Sequence, residues 1–365
     1  MTRTRDAMSL VRPHLLALDA YAAVDPPEVL AQRAGVLESE VVKLNGNENP
    51  YGPSTKVREA LAGLDRVHIY PDPRQVALRE AIGGYAGLDP EYVVAGNGSD
   101  ELIDLLLVVL LAPGDAIIDC TPTFDMYRFT AQVRGGTVLN LPRDDRFRVD
   151  VPAVLEAAQR AKAVFLASPN NPTGNATPLA DIRRLLEAGL VVVVDEAYQE
   201  FGGESAAALV PEYANLIVLR TFSKWAGLAG LRVGYGLMAS ELAGLLLRTK
   251  PPYSVSQAAE AAVLASLDDM AVLQERVGWL MREREHIRGL LGSLPGITPW
   301  PSDANFILCQ TPKGKGAAVY EGLAGRGVFV RYFSDPRLRD FIRVSVGKPE
   351  HTNRLIEVLA EVVEA

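Results

Sequence analysis

The chain has few of the residues that build disulfide-linked or metal-centred proteins. Its 365 residues include two cysteines, Cys120 and Cys309. Each lies beside an apolar run, and we expect both to be reduced core residues. The four histidines show no metal-ligand spacing, so no metal site is predicted.

The chain also lacks long apolar runs and an excess of positive charge. The longest apolar run, residues 105–112, is far too short to span a bilayer. No long apolar stretch follows the start Met1 to Asp6, so we expect no secretory signal and a cytoplasmic location. The formal net charge of −8 argues against a nucleic-acid surface. We therefore expect neither a membrane nor a nucleic acid as a partner.

Apolar residues make up 48% of the chain, enough to bury a large core. Residues 45–250 alternate short apolar strands with helical stretches, as in a mostly parallel α/β sheet. After Pro251 and Pro252 comes a long helical pattern at 257–291, then strand patterns and a final helix from Thr352. The strand patterns are at 305–308, 328–331 and 341–346. We expect a large domain at 41–255 and a small α+β domain formed by 1–40 and 256–365.

One lysine suggests covalent chemistry. Lys224 follows Thr221 and Ser223, just after the apolar run 216–219, and Arg232 lies eight positions further on. Two hydroxyls and a guanidinium can bind a phosphate dianion, and the amine can form an imine with an aldehyde. This pattern predicts pyridoxal phosphate as the cofactor. The alternative is a solvated surface lysine.

Two further strands end in residues that suit a pyridinium ring. Asp195 ends a β-branched run at 191–194 and could pair with the ring nitrogen. Asn171 lies in a proline-rich turn after the run 163–167, and it could donate to the cofactor's phenolic oxygen, as could Tyr198. The alternatives are a helix N-cap for Asp195 and plain turn chemistry for Asn171.

A glycine turn gives the phosphate a second set of donors. Gly98, Ser99 and Asp100 follow an apolar run at 92–95 and precede a helical stretch at 101–111. Amides exposed at a helix start bind phosphate. Ligands of open parallel sheets sit beyond the carboxyl ends of the strands, where Asn171 and Lys224 also fall.

These segments together resemble the class I/II aminotransferases. The motifs are Asn-Asn-Pro-Thr-Gly at 170–174, Asp-Glu-Ala-Tyr at 195–198, Ser-Lys at 223–224 and Leu-Ala-Gly-Leu-Arg-Val-Gly-Tyr at 228–235. The segments 43–54, 70–73 and 96–102 narrow the resemblance to the histidinol-phosphate branch of that family. The resemblance covers nearly the whole chain. It implies the fold type I of pyridoxal-phosphate enzymes, with a large, mostly parallel sheet of the seven-stranded type.

The resemblance assigns cofactor roles by matching position. Lys224 matches the Schiff-base lysine and Asp195 the partner of the pyridine nitrogen, while Asn171 and Tyr198 match the donors to the phenolic oxygen. Phe124 matches an aromatic ring that stacks on the cofactor. The phosphate group would be bound by Gly98, Ser99, Asp100, Thr221, Ser223 and Arg232. Tyr70 matches a tyrosine that reaches the other subunit's phosphate, so a homodimer with shared sites is implied.

Substrate roles follow in the same way. Arg343, in a strand pattern, matches the arginine that binds a substrate carboxylate or phosphate, and Arg331 matches a second arginine of the branch. Tyr21 and Asn47 match residues of the substrate pocket. For either arginine the alternative is a surface ion pair.

The implied reaction is a ping-pong exchange of an amino group between histidinol phosphate and 2-oxoglutarate in histidine biosynthesis, with glutamate as the other product. Lys224, Asp195 and Tyr198 would be its catalytic residues. An aromatic amino-acid aminotransferase or a threonine-phosphate decarboxylase would share most of the cofactor residues. A ligand-sensing regulator of the same fold is disfavoured, because the roughly 40 residues before the fold are not basic.

Overall fold

The computed structural model describes residues 6–364. Residues 1–5 lie outside the described part. They belong to the predicted small domain and to the segment for which no secretory signal was predicted. The strands are β1 (Val42–Lys43), β2 (Val93–Gly96), β3 (Ala116–Asp119), β4 (Thr137–Asn140), β5 (Ala163–Ala167), β6 (Val191–Asp195), β7 (Leu216–Thr221), β8 (Gly234–Met238), β9 (Thr298–Pro299), β10 (Phe306–Gln310), β11 (Val328–Phe329), β12 (Arg331–Tyr332) and β13 (Phe341–Ser345).

Helices cover both the seven-stranded sheet and a second, smaller sheet. They are α1 (Pro13–Leu16), α2 (Pro27–Ala34), α3 (Thr55–Ala62), α4 (Val76–Ala86), α5 (Gly98–Leu110), α6 (Met126–Arg134), α7 (Val151–Ala157), α8 (Leu179–Glu187), α9 (Ser240–Thr249), α10 (Gln257–Asp268), α11 (Met270–Ser293), α12 (Gly316–Ala324) and α13 (Pro349–Glu364). Among residues 6–364, no helix combines the length and the apolar character needed to cross a bilayer.

The central sheet has seven strands in the order β2-β8-β7-β6-β5-β3-β4. Every neighbouring pair is parallel except those made by β8, which runs antiparallel to β7 and β2. Val194 and Val218 pack into one core, whereas Val193 and Ile217 pack into another on the opposite face. Burial on both faces explains why these strands are continuous apolar runs. The predicted α/β fold is confirmed.

A second, separate sheet has four strands in the order β12-β13-β10-β9. Its core includes Ile307 and Val344 from the strands, and it is covered by α11, α12 and α13. β1 forms a separate parallel pair with β11, so that Val42 lies opposite Val328. A segment near the start of the chain is thereby fixed beside the C-terminal sheet. The division into the two predicted domains stays a prediction.

Two predicted elements are wrong in extent. The helical pattern at 257–291 is two helices, because the chain leaves the helical conformation at Asp269 (φ −116°, ψ 28°). Aspartate favours local hydrogen bonds over a helix interior, which suits a break there. The pattern at 328–331 is two short strands in different sheets, since β11 pairs with β1 and β12 with β13. Cys120 and Cys309 are free and buried, which confirms their predicted core positions.

Candidate active site

A cavity of about 440 Å³ opens beyond the carboxyl ends of β5, β6 and β7. It brings together most of the residues that the sequence singled out. Those that line it are Tyr21, Asn47, Ser99, Asp100, Phe124, Asn171, Asp195, Tyr198, Thr221, Ser223, Lys224, Arg232, Arg331 and Arg343. Gly98 lies beside Ser99 just outside the lining. Tyr70 does not line this cavity.

Lys224 presents its amine to the middle of the cavity. Its Nζ donates to the carbonyl oxygen of Gly46 at 3.2 Å and lies 5.8 Å from the centre of the Tyr198 ring. Burial lowers the pKa of Lys224 to about 8, and the positive charge of Arg343 acts in the same direction. Glu48 opposes that shift. A sizeable fraction of the amine is therefore neutral, and thus nucleophilic, near neutral pH.

Asp195 is a buried carboxylate at the end of β6. The Tyr127 hydroxyl donates to its Oδ2 at 2.6 Å, and the amide of Ala197 donates to its Oδ1 at 3.1 Å. Burial raises the pKa of Asp195 to about 6. A cationic N–H group in the cavity would stabilise the ionised carboxylate, so Asp195 fits the nitrogen of a protonated pyridine ring. No sequence pattern pointed to Tyr127, which approaches Asp195 from α6.

Tyr198 is held by a network that starts near the N-terminus. Asn47 Nδ2 donates to the Tyr198 hydroxyl at 3.0 Å, and Asn47 Oδ1 accepts from Ser345 Oγ at 2.7 Å. Asn305 Nδ2 donates to the carbonyl oxygen of Asn47 at 3.0 Å. Asn47, expected in the substrate pocket, thus also orients Tyr198. Sequence reasoning missed Ser345 and Asn305, because their positions depend on the pairing of β10 with β13.

The far end of the cavity is built for an anion. α5 begins at Gly98, whose φ is +79°, and a Cβ there would lie 2.7 Å from Arg232 Nη2. The buried hydroxyls of Thr221 and Ser223 lie 3.0 Å apart. Helix-start amides, two hydroxyls and a guanidinium converge here, which fits a phosphate dianion. Arg232 also pairs with Asp100 at 3.0 Å.

Arg343 forms a second cationic centre in the cavity wall. Its two Nη groups donate to Asn171 Oδ1 at 2.5 Å and to the carbonyl oxygen of Asn45 at 2.7 Å. Its Nε has no hydrogen-bond partner among residues 6–364 although it is buried. Burial lowers the pKa of Arg343 to about 10, which is still well above neutral. The guanidinium lines the cavity and keeps its positive charge, which suits a carboxylate or phosphate oxygen. Asn171 keeps its Nδ2 donors for another acceptor.

Arg331 and Tyr21 complete this side of the cavity. Arg331 donates to the carbonyl oxygen of Ala22 at 2.8 Å, which holds the segment containing Tyr21 over the site. Tyr21 in turn packs against Phe129, with ring centres 6.2 Å apart. The predicted substrate residues are therefore brought together, and their contacts with substrate remain predictions.

Tyr70 lies elsewhere on the surface. Its side chain is 76% exposed and stacks on Tyr253, with ring centres 4.5 Å apart. The same loop is held by Gln257, whose Nε2 donates to the carbonyl oxygen of Ile69 at 2.6 Å. Tyr70 therefore makes no contact with the cavity of its own chain, and its predicted role across a subunit interface stays a prediction.

The fold and the cavity together define the active site of a transferase that uses pyridoxal phosphate. The sequence profile described as "Aminotransferase class I and II" matches residues 39–363. The chain belongs to this family, and the predicted resemblance is confirmed.

Particular relatives narrow the comparison. The chain is 47% identical to the histidinol-phosphate aminotransferase of Roseiflexus castenholzii, over 97% of this chain and 98% of the relative. It is also 47% identical to the chloroplastic histidinol-phosphate aminotransferase 1 of Arabidopsis thaliana, over 97% of this chain and 86% of the relative. Among solved structures, histidinol-phosphate aminotransferase from Sinorhizobium meliloti in complex with pyridoxal-5'-phosphate superposes with a TM-score of 0.89 at 26% identity, covering 98% of each chain.

Proposed function

We propose that this chain interconverts L-histidinol phosphate and 2-oxoglutarate with imidazole-acetol phosphate and L-glutamate, using pyridoxal 5'-phosphate. The observation that carries the substrate proposal is the pair of arginines in the cavity wall, Arg331 and Arg343. Both amino donors of this reaction are anionic, one through a phosphate and one through carboxylates. A planar guanidinium binds either group in a bidentate manner. The relatives at 47% identity support the same reaction.

The residues of the cavity fit the cofactor at each of its functional groups. Ser99, Thr221, Ser223 and Arg232 would hold its phosphate, and Phe124 would pack against its ring. Asp195 would hold the proton on the ring nitrogen, with Tyr127 and Ala197 keeping the carboxylate oriented. When bound, pyridoxal phosphate supplies an electron sink for the substrate's α-carbon.

Lys224 carries the proton transfer. With a pKa lowered to about 8, its Nζ can take the proton from the α-carbon of the amino donor, and it would deliver that proton to the carbon of the cofactor's aldehyde group. Tyr198, held by Asn47, would donate to the cofactor's phenolic oxygen, and so would Asn171. Arg343 and Arg331 would bind glutamate's carboxylate in one half-reaction and the phosphate of histidinol phosphate in the other. An amino donor and an oxo acceptor use the same site in turn, the first product leaving before the second substrate binds, which gives ping-pong kinetics.

The cytoplasmic location stays a prediction. We also propose a homodimer in which each active site takes residues from both subunits. Its support is the exposed Tyr70, which lies outside the cavity of its own chain. The test mixes two inactive variants, Tyr70→Ala and Lys224→Ala, after reversible dissociation. Shared sites predict recovery of about a quarter of the wild-type activity, because half of the dimers are hybrids with one intact site each. No recovery from a mixture that has formed hybrids would contradict the sharing.

The function is tested by titrating the cofactor-loaded protein with L-histidinol phosphate and, in parallel, with L-phenylalanine. Conversion of the bound-cofactor absorbance at low histidinol phosphate is the expected result. Faster conversion with phenylalanine would assign an aromatic amino-acid substrate instead. Release of carbon dioxide from threonine phosphate would identify a decarboxylase.

Lys224→Ala is the matching negative control. It should bind the cofactor through the phosphate residues and through Asp195. We expect no turnover with any amino donor, because Lys224 is the only lysine among residues 6–364 that lines the cavity. Multiple turnovers by this variant would refute the mechanism.

A further inference from the structure

A buried ion pair lies at the carboxyl ends of β6 and β7, outside the lining of the cavity. Arg220 Nε and Nη2 approach Glu196 Oε2 at 3.0 and 2.9 Å. The side chains are only 7% and 1% exposed, respectively. Neither residue lines the cavity, so neither is placed to contact a ligand there.

Both members of the pair are chain neighbours of residues that face the cavity. Glu196 follows Asp195 at the end of β6, and Arg220 precedes Thr221 at the end of β7. Successive side chains of a strand point to opposite faces of the sheet, so Asp195 and Thr221 face the cavity while the ion pair forms behind them. The amide of Glu196 also donates to the carbonyl oxygen of Leu219 on β7 at 2.8 Å. The ion pair adds a side-chain link between the same two strand ends.

The carboxylate of Glu196 is held from several directions. Ser205 Oγ donates to its Oε2 at 2.8 Å, and the amide of Ala206 donates to its Oε1 at 2.6 Å. Arg220 Nη2 also donates to Ser205 Oγ at 2.6 Å. A buried network whose members all find partners has one favoured geometry, and it resists displacement of any member.

We propose that Glu196 and Arg220 are positioning residues that fix the separation between Asp195 and Thr221. The cofactor's ring and its phosphate are joined by a short covalent linker, so the groups that bind its ring nitrogen and its phosphate have to lie within a limited range of separations. Functional groups have to be held within about 0.5 Å of their working positions to act on such a ligand. The inference rests on the proposed cofactor chemistry. In it, the ion pair sets the distance between the Asp195 carboxylate, which would bind the ring nitrogen, and the Thr221 hydroxyl, which would bind the phosphate.

The first test compares Arg220→Lys with a matched control, Arg79→Lys. Arg79 donates to the carbonyl oxygens of Val93 at 2.9 Å and Pro90 at 2.6 Å, and it does not line the cavity. In both variants an ammonium group takes the place of a planar guanidinium that makes several hydrogen bonds. For Arg220→Lys we expect cofactor binding weaker by on the order of tenfold, a lower kcat with a nearly unchanged KM, and a shifted pH midpoint of the bound-cofactor absorbance. For Arg79→Lys we expect a change in Tm alone.

The second test separates positioning from stability. Glu196→Gln combined with Arg220→Met removes both charges and keeps an acceptor for the amide of Ala206, so Tm should recover relative to Arg220→Met alone. Cofactor affinity and the absorbance midpoint should stay displaced, because the link between the strand ends is still missing. Wild-type affinity and midpoint in Arg220→Lys, or their recovery together with Tm in the double variant, would overturn the proposal. Cofactor affinity and the absorbance midpoint are both measured without histidinol phosphate, so a different substrate would leave these two readouts unaffected.

Discussion

The lowered pKa of Lys224 gives a quantitative prediction for the cofactor-free protein. With a pKa of about 8 in place of 10.5, about a tenth of the Lys224 amine is neutral at pH 7, compared with roughly 0.03% of an ordinary lysine. The neutral fraction is therefore higher by about 300-fold. Only the neutral amine reacts with an electrophile, so Lys224 should be far more reactive than its partial burial suggests.

Two charge variants should move this reactivity in opposite directions. Arg343→Gln removes a positive charge that lowers the pKa of Lys224, so less of the amine will be neutral at pH 7. Glu48→Gln removes a negative charge that raises that pKa, so more of the amine will be neutral. We expect each variant to change the labelling rate at pH 7 by about two- to fivefold, as a single charge in a partly solvated site does.

The assay is competitive labelling with a trace of acetic anhydride, followed by mass spectrometry of the peptide that contains Lys224. The exposed Lys313 in the same digest corrects for reagent hydrolysis. Labelling of Lys224 should rise through a midpoint near pH 8, since the pKa of this lysine is lowered to about that value. A midpoint above pH 10, or a shift in the same direction for both variants, would refute the electrostatic account.

Three further predictions concern the ring-nitrogen and phosphate ends of the site. The pKa of Asp195 is raised to about 6, so its contribution to stability is present below pH 4 and lost as the pH rises through 6. Asp195→Asn should therefore stabilise the cofactor-free protein by about 2–3 kcal/mol at pH 8 and by nothing below pH 4. Urea unfolding at both pH values measures this difference. Turnover by the same variant should fall sharply. Tyr127→Phe removes the hydroxyl that lowers the Asp195 pKa. That pKa should therefore rise, and the pH profile of kcat should move to higher pH. Gly98→Ala should weaken cofactor binding about tenfold, because its Cβ meets Arg232, whereas Gly114→Ala, at a similarly positive φ but in open space, should lose stability alone.

The sequence was most informative where function and fold use the same local signal. The runs that became β5, β6 and β7 are apolar because both of their faces are buried, and each is followed by polar residues that enter the cavity. Asp195 and Lys224 could therefore be found by their position after a strand. The glycine turn at Gly98 could be found in the same way.

Other parts of the site depend on contacts that no local pattern encodes. Tyr127 reaches Asp195 from a helix 68 residues earlier in the chain, and its own segment reads only as an amphipathic helix. The Glu196–Arg220 pair forms only because β6 and β7 are neighbours in register. The break at Asp269 was missed because apolar periodicity continues across it. Strand order and register are set by packing of the whole sheet, which a window of sequence does not contain.

The contacts between the segment after β1 and strand β13 fix the order in which the cavity can form during synthesis. Asn45 and Asn47 are bound by Arg343 and Ser345, each 298 residues later in the chain. At a translation rate of about 5–20 residues per second, roughly 15–60 s separate the synthesis of these partners. Lys224 emerges within that interval, before the arginine wall of its cavity exists. The burial and the Arg343 charge that lower the pKa of Lys224 are therefore acquired late, so the lysine becomes reactive only when the chain can also bind a substrate.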